Sequence, residues 1–197
     1  MNSSAHDWDR ALEDLLAEQV AEDVAPTARE FGGTPDVPPY KETAVLVLGV
    51  GDKRLLAAFL KGPRVAARTL AAGGMGFAVL DDPAEEAALA AARTASSTLR
   101  GVPVFLLRRG PTKDPAGADI QGYLWVDGVV RQRVPAGLAL ARAPQLLEDL
   151  LIDPEAAEVA LAEAVSVEEL SPADAIAIIG RNLRRSKRKR ETETDSP

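Results

Sequence analysis

Apolar residues recur along this chain with two different periods, and the change of period divides it into elements. Over residues 7–24 the repeat is three to four positions: Trp8, Leu12, Leu15, Leu16 and Val20 form one stripe, and the other positions are mostly acidic. That spacing predicts an amphipathic helix. Asp7 is placed to cap it, and the early acids suit the positive end of the helix dipole. The period is lost over residues 25–42. Pro26, Pro35, Pro38 and Pro39, with Gly32 and Gly33, mark this stretch as a linker or extended arm.

A different pattern opens at Thr43. The run to Val50 is apolar without alternation, which predicts a strand buried on both faces. Helical pieces are expected over 52–60 and 64–72, divided at Gly62-Pro63. Residues 73–76 read as a turn and 77–80 as a short second strand. Asp82 and Pro83 read as the N-cap and first residue of a helix reaching about Arg100. Residues 102–107 form a third apolar strand, and 109–118 an exposed loop. Asp127-Gly128 then lies between two β-rich runs, 121–126 and 129–134. This is a hairpin signal, because both central positions of the tight turn need positive φ. A helix over 138–151 closes the body.

The order β-α-β-α-β-β-β-α predicts an α/β core with a mixed sheet of about five strands flanked by helices. The first three strands are expected to be parallel, joined by right-handed crossovers, with the hairpin adding an antiparallel edge. A hairpin followed by a closing helix resembles, in topology alone, the C-terminal half of thioredoxin-like folds. The Cys-x-x-Cys of those proteins is absent here, so the resemblance implies no redox activity.

Beyond Ile152, Asp153-Pro154 starts a further helix to about Val165. Ser171-Pro172-Ala173-Asp174 has the layout of an N-cap, a first-turn proline and an acid at the third position. The helix that follows carries Ile176, Ile179 and Leu183 on one face and runs directly into a basic stretch. The expected organisation is thus an N-terminal helix and linker over 1–42 and an α/β core over 43–152. An acidic helix and a basic-ended helix follow over 153–190, with a disordered tail at 191–197.

Composition narrows the chemistry. Hydrophobic residues are 46% and charged residues 27%, the balance of a globular protein. Cysteine is absent, which excludes a disulfide framework, a thiol nucleophile and Cys-ligated zinc or iron–sulfur sites. The one histidine, His6, lies outside the expected core, which argues against a His-rich metal site or a Ser/His hydrolase. No apolar run approaches the roughly 20 residues that span a bilayer. The N-terminus lacks a hydrophobic signal core, so a cytoplasmic protein with no membrane partner is expected. The Ala- and Arg-rich usage fits a GC-rich bacterial genome.

The net charge of −7 conceals a strong asymmetry. Arg181, Arg184, Arg185, Lys187, Arg188, Lys189 and Arg190 place seven bases and no acid in residues 181–190. Three acids follow in 191–197, which leaves residues 1–180 with 16 bases against 27 acids. Seven like charges so close together repel one another unless an anion is near. Each phosphate they neutralise releases counterions, so the segment suits salt-sensitive, sequence-independent nucleic-acid binding. No aromatic is interleaved, which argues against base stacking. Folding back onto the acidic body, a purely solubilising tail or, in a eukaryote, an import signal are the plainer alternatives.

The turn containing Gly49, Gly51 and Lys53 joins a buried strand to a helix, where backbone N–H groups can hold an anion. It falls short of both the dinucleotide-binding fingerprint and the Walker A loop. A tight turn with Asp52 as N-cap explains it more simply. Asp81 and Asp82 at a strand end have the residue type for Mg²⁺, but capping by Asp82 explains that pair without a metal. Arg108, Arg109, Arg131 and Arg133 have the makings of a second positive patch, and Tyr123 and Trp125 read as core.

The resulting expectation is a non-enzymatic binding or adaptor protein without cofactor or metal. Its α/β platform contacts nucleic acid or another polyanion through 181–190, and protein partners or a second copy through 7–24 and 172–183. Two alternatives stand beside it. One is a small nucleotide- or phosphate-binding enzyme built on the Gly49–Lys53 turn; the other is a subunit of a larger assembly.

Overall fold

The computed structural model describes residues 41–111, 120–141 and 143–194. The helix expected over 7–24, the linker up to residue 40 and most of the 109–118 loop lie outside the described residues.

Among the described residues, seven strands form one sheet: β1 (Thr43–Leu48), β2 (Ala67–Ala72), β3 (Met75–Leu80), β4 (Val104–Arg109), β5 (Ile120–Val126), β6 (Val129–Pro135) and β7 (Val165–Ser166). Six helices within the described residues accompany them: α1 (Lys53–Lys61), α2 (Glu85–Thr98), α3 (Ala136–Leu140), α4 (Gln145–Ile152), α5 (Pro154–Ala162) and α6 (Pro172–Thr194). The sheet order is β6-β5-β4-β1-β3-β2-β7, and every neighbouring pair is antiparallel.

The α/β class holds, but the expectation of about five strands with the first three parallel does not. The cause is residues 67–72, Ala-Arg-Thr-Leu-Ala-Ala, expected as helix and found as β2. Alanine is the best helix former, and its weight hid a hairpin. Gly73 and Gly74 both have positive φ, 56° and 80°, which is the tight turn that folds β2 onto β3. With that strand inserted, β3 runs against both β1 and β2. The crossovers through α1 and α2 still join strands of equal direction. In each case, however, an antiparallel strand lies between the two: β3 between β1 and β2, and β1 between β3 and β4. This is the connection pattern of a split βαβ unit, extended by the β5–β6 hairpin and the two-residue β7.

Strand β1 is buried on both faces as its sequence predicts. Ala44, Leu46 and Leu48 point into a core shared with Leu56, Ala57 and Leu60 of α1 and Ala88, Ala92 and Ala95 of α2. The three alanines at i, i+4 and i+7 let α2 approach the sheet closely. Val45 and Val47 face the opposite side, where Phe77 and Leu107 meet Leu147, Leu150 and Leu151 of α4. The Asp127-Gly128 hairpin forms as expected, with φ of 53° and 78°. The helix expected over 138–151 is divided into α3 and α4 ahead of Pro144.

Ser96 ties α2 to that hairpin. Its hydroxyl is fully buried, donates to the Arg93 carbonyl at 3.1 Å and accepts from the Gly128 N–H at 3.0 Å. Ser96→Ala leaves the Gly128 donor without this partner and is expected to cost about 1–2 kcal/mol, measured by urea denaturation. A loss near zero would show that water replaces the hydroxyl.

Candidate functional site

Two stretches far apart in sequence meet where α6 crosses α1. The start of α6 is set by its cap: Ser171 Oγ accepts from the Asp174 N–H at 3.1 Å and donates to the Asp174 carboxylate at 2.6 Å. Ala175 is buried. Early α6 residues Ile176 and Ile179 share a groove with Ala58, Lys61 and Gly62 at the end of α1. Later residues, Ile178 to Arg185, share a second cleft with Asp52 and Arg54 at its beginning. The two helices are therefore antiparallel, and the basic half of α6 is carried past the start of α1.

That second cleft has a volume of about 420 Å³ and is lined by Asp52, Arg54, Arg181, Asn182, Arg184 and Arg185. Four arginines and one aspartate thus border the same cleft. Arg54, Arg181, Arg184 and Arg185 are all exposed. Among the described residues, ion pairs form at Arg68–Asp81, Arg108–Glu42 and Arg108–Glu85, none of which includes these four arginines. Asp52 forms no ion pair with them among the described residues; its Oδ1 accepts from the Arg54 and Leu55 N–H groups at 2.8 and 3.1 Å as the N-cap of α1.

The glycine turn is arranged differently from a phosphate cradle. Gly49 faces open space, and Gly51 abuts the Gly74 backbone of the β2–β3 turn. Asp52 takes the first free N–H groups of α1. The Lys53 ammonium donates to the carbonyl of Glu163 at the end of α5. Thr69, fully buried, donates to the carbonyl of Lys53 at 2.8 Å, and its hydroxyl also lies 3.1 Å from the Val165 carbonyl. Gly51 and Lys53 border a cleft of about 410 Å³, but Asp52 and Glu163 border it as well. The local charge there is not one that draws an anion.

The remaining basic residues do not assemble into a second patch. Arg108 and Arg109 are buried. Arg108 donates to the Pro83 carbonyl and to Glu42, and Arg109 to the Lys41 carbonyl. Arg131 and Arg133 are exposed on β6, with the Arg133 guanidinium 5.7 Å from the centre of the Tyr123 ring. Tyr123 and Trp125 belong to the core. Asp81 lies 3.9 Å from Arg68, and Asp82 accepts from the Ala84 N–H, so α2 begins at Glu85 and not at Pro83. Among the described residues no group of three or more His, Asp or Glu side chains is arranged to hold a metal ion, and no helix is long and apolar enough to cross a membrane.

Arg54 is the residue that sequence reasoning undervalued, since nothing local ties it to the distant 181–190 segment. The chain matches no protein-family model, no curated protein and no solved structure.

Proposed function

We propose that this protein is a non-enzymatic binding module that contacts nucleic acid through the basic half of α6. The observation that carries the reading is that Arg181, Arg184 and Arg185 are exposed and form no ion pair with the described residues, on a helix docked against α1.

Charge spacing favours nucleic acid among polyanions. Residues 181–190 are helical, so their seven bases extend over about 14 Å of axis at 1.5 Å per residue. That is about one positive charge per 2 Å, close to the one negative charge per roughly 1.7 Å of duplex DNA. The module works in the cytoplasm, with the α/β body as platform. Ile176 and Leu183, 72% and 67% exposed on the same helix, offer a protein partner an apolar contact.

The test is fluorescence anisotropy with a labelled DNA duplex across a salt series, comparing the natural chain with Arg181→Gln/Arg184→Gln/Arg185→Gln. Glutamine keeps helix propensity. At about 0.9 per phosphate contact, the slope of log K against log salt should flatten by about 2.7. Affinity at low salt should fall by tenfold or more. Equal slopes and affinities for the two proteins would refute the reading.

A further inference from the structure

We propose that Arg54 completes, with Arg181 and Arg185, a seat for one backbone phosphate of the bound nucleic acid in the cleft between α1 and α6. This rests on the nucleic-acid reading above and adds a residue of the body to it.

Three observations converge on the cleft. First, four arginines and a single aspartate border it. Collecting like charges around one space is unfavourable in the free protein and becomes favourable when an anion enters. Second, the side chain of Arg54 makes no hydrogen bond or ion pair within the described residues. It is exposed at the rim of the cleft and has no packing role to explain it. Third, the residues are arginines. The planar guanidinium offers paired N–H donors that match two phosphate oxygens, whereas an ammonium acts as a point charge. The amide of Asn182, on the same wall, adds a neutral donor.

The helix terminus is not the source of attraction. Asp52 already accepts from the N–H groups of Arg54 and Leu55, so the seat consists of side chains. Asp52 instead opposes the ligand: its charge lies in the same cleft and lowers affinity for any anion there. The cleft thus acts as a positioning contact, fixing where the nucleic-acid backbone crosses α1. The outer turns of α6 supply attraction without register.

Two substitutions of opposite sign test this in the full chain. The probe is a labelled oligonucleotide duplex, read by anisotropy at several salt concentrations. Arg54→Gln should weaken binding about tenfold and reduce the salt slope by about 1. Asp52→Asn keeps a good N-cap residue while removing the opposing charge; it should tighten binding several-fold with the melting temperature unchanged. Arg100→Gln, which removes the same charge from an exposed site outside the cleft, should change affinity less than twofold.

If Arg54→Gln behaves like Arg100→Gln while the triple α6 variant loses binding, the seat is wrong and the nucleic-acid reading stands. If the natural chain binds no duplex at low salt, both fall. If Asp52→Asn fails to tighten binding, the anion does not enter this cleft.

Discussion

Phe77→Ala is expected to lower the stability of the fold by about 3–5 kcal/mol. Phe77 lies on β3 at the centre of the sheet, paired with Val47 on β1 and Leu70 on β2, and is completely buried. Its ring fills the core beneath Leu147, Leu150 and Leu151 of α4, with Val45, Val79 and Leu107 beside it. Its buried neighbours in this cluster are aliphatic, with the partly buried Phe105 packed against them. The loss therefore combines the transfer free energy of the ring with an unfilled cavity. Urea denaturation should show a lower midpoint with an unchanged m-value. Phe77 faces away from α1, so under conditions where the variant is folded its affinity for DNA should equal that of the natural chain. A stability loss below about 1 kcal/mol would mean that α4 settles onto the sheet and closes the gap.

The second large effect is expected at Gly76, where the added group is a single methyl. A Cβ there would meet the carbonyl oxygen of Val50, and the Cδ2 of Leu56 at 2.8 Å. Leu56 is itself fully buried against the sheet and has little room to turn. The carbonyl belongs to the backbone that leads from β1 into the Asp52 cap. Relief of the clash therefore requires the start of α1 to move off the sheet. Gly76→Ala should cost about 3 kcal/mol, at the upper end of the range for overpacked cores. Because α1 carries Arg54 and supports α6, this variant should also lose DNA affinity, unlike Phe77→Ala. Thermal unfolding and anisotropy on both proteins would separate the two faces of the sheet. Equal DNA binding by the two folded variants would contradict the placement of the site on the α1 side.

Much of the architecture was legible where local chemistry and tertiary context agree. The unbroken apolar run of β1, the Asp52 and Asp153 caps, the Ser171 capping arrangement and the Asp127-Gly128 turn all formed as read. Smaller failures lie at the Asp82-Pro83 start and the helix divided ahead of Pro144; the one that changed the fold lies where local chemistry and tertiary context disagree. In β2, alanine at 67, 71 and 72 favours helix in isolation, yet pairing with β3 on one side and β7 on the other holds the segment extended. The signal against helix was the Gly73-Gly74 dipeptide, and reading it as an ordinary turn reversed the polarity of the sheet downstream. The site was half legible. A run of seven bases stands out in any reading, because charge clustering is a local property. The partnership of Arg54 with that run is set by how α6 lies on α1, which no period or motif encodes.

The docking of α6 has a consequence for how strongly a cationic segment can bind. A basic tail that is disordered when free loses about 1–2 kcal/mol of backbone entropy for every residue it orders on the ligand. Here the helix is anchored through Ala175 and its neighbours and continues without interruption to Thr194. The helical backbone past Arg185 therefore extends like a cantilever from a fixed wall. Such a beam trades the reach of a loose tail for a fixed heading, and under the proposed function its grip on a rod-shaped polymer would depend on the angle at which it leaves the body.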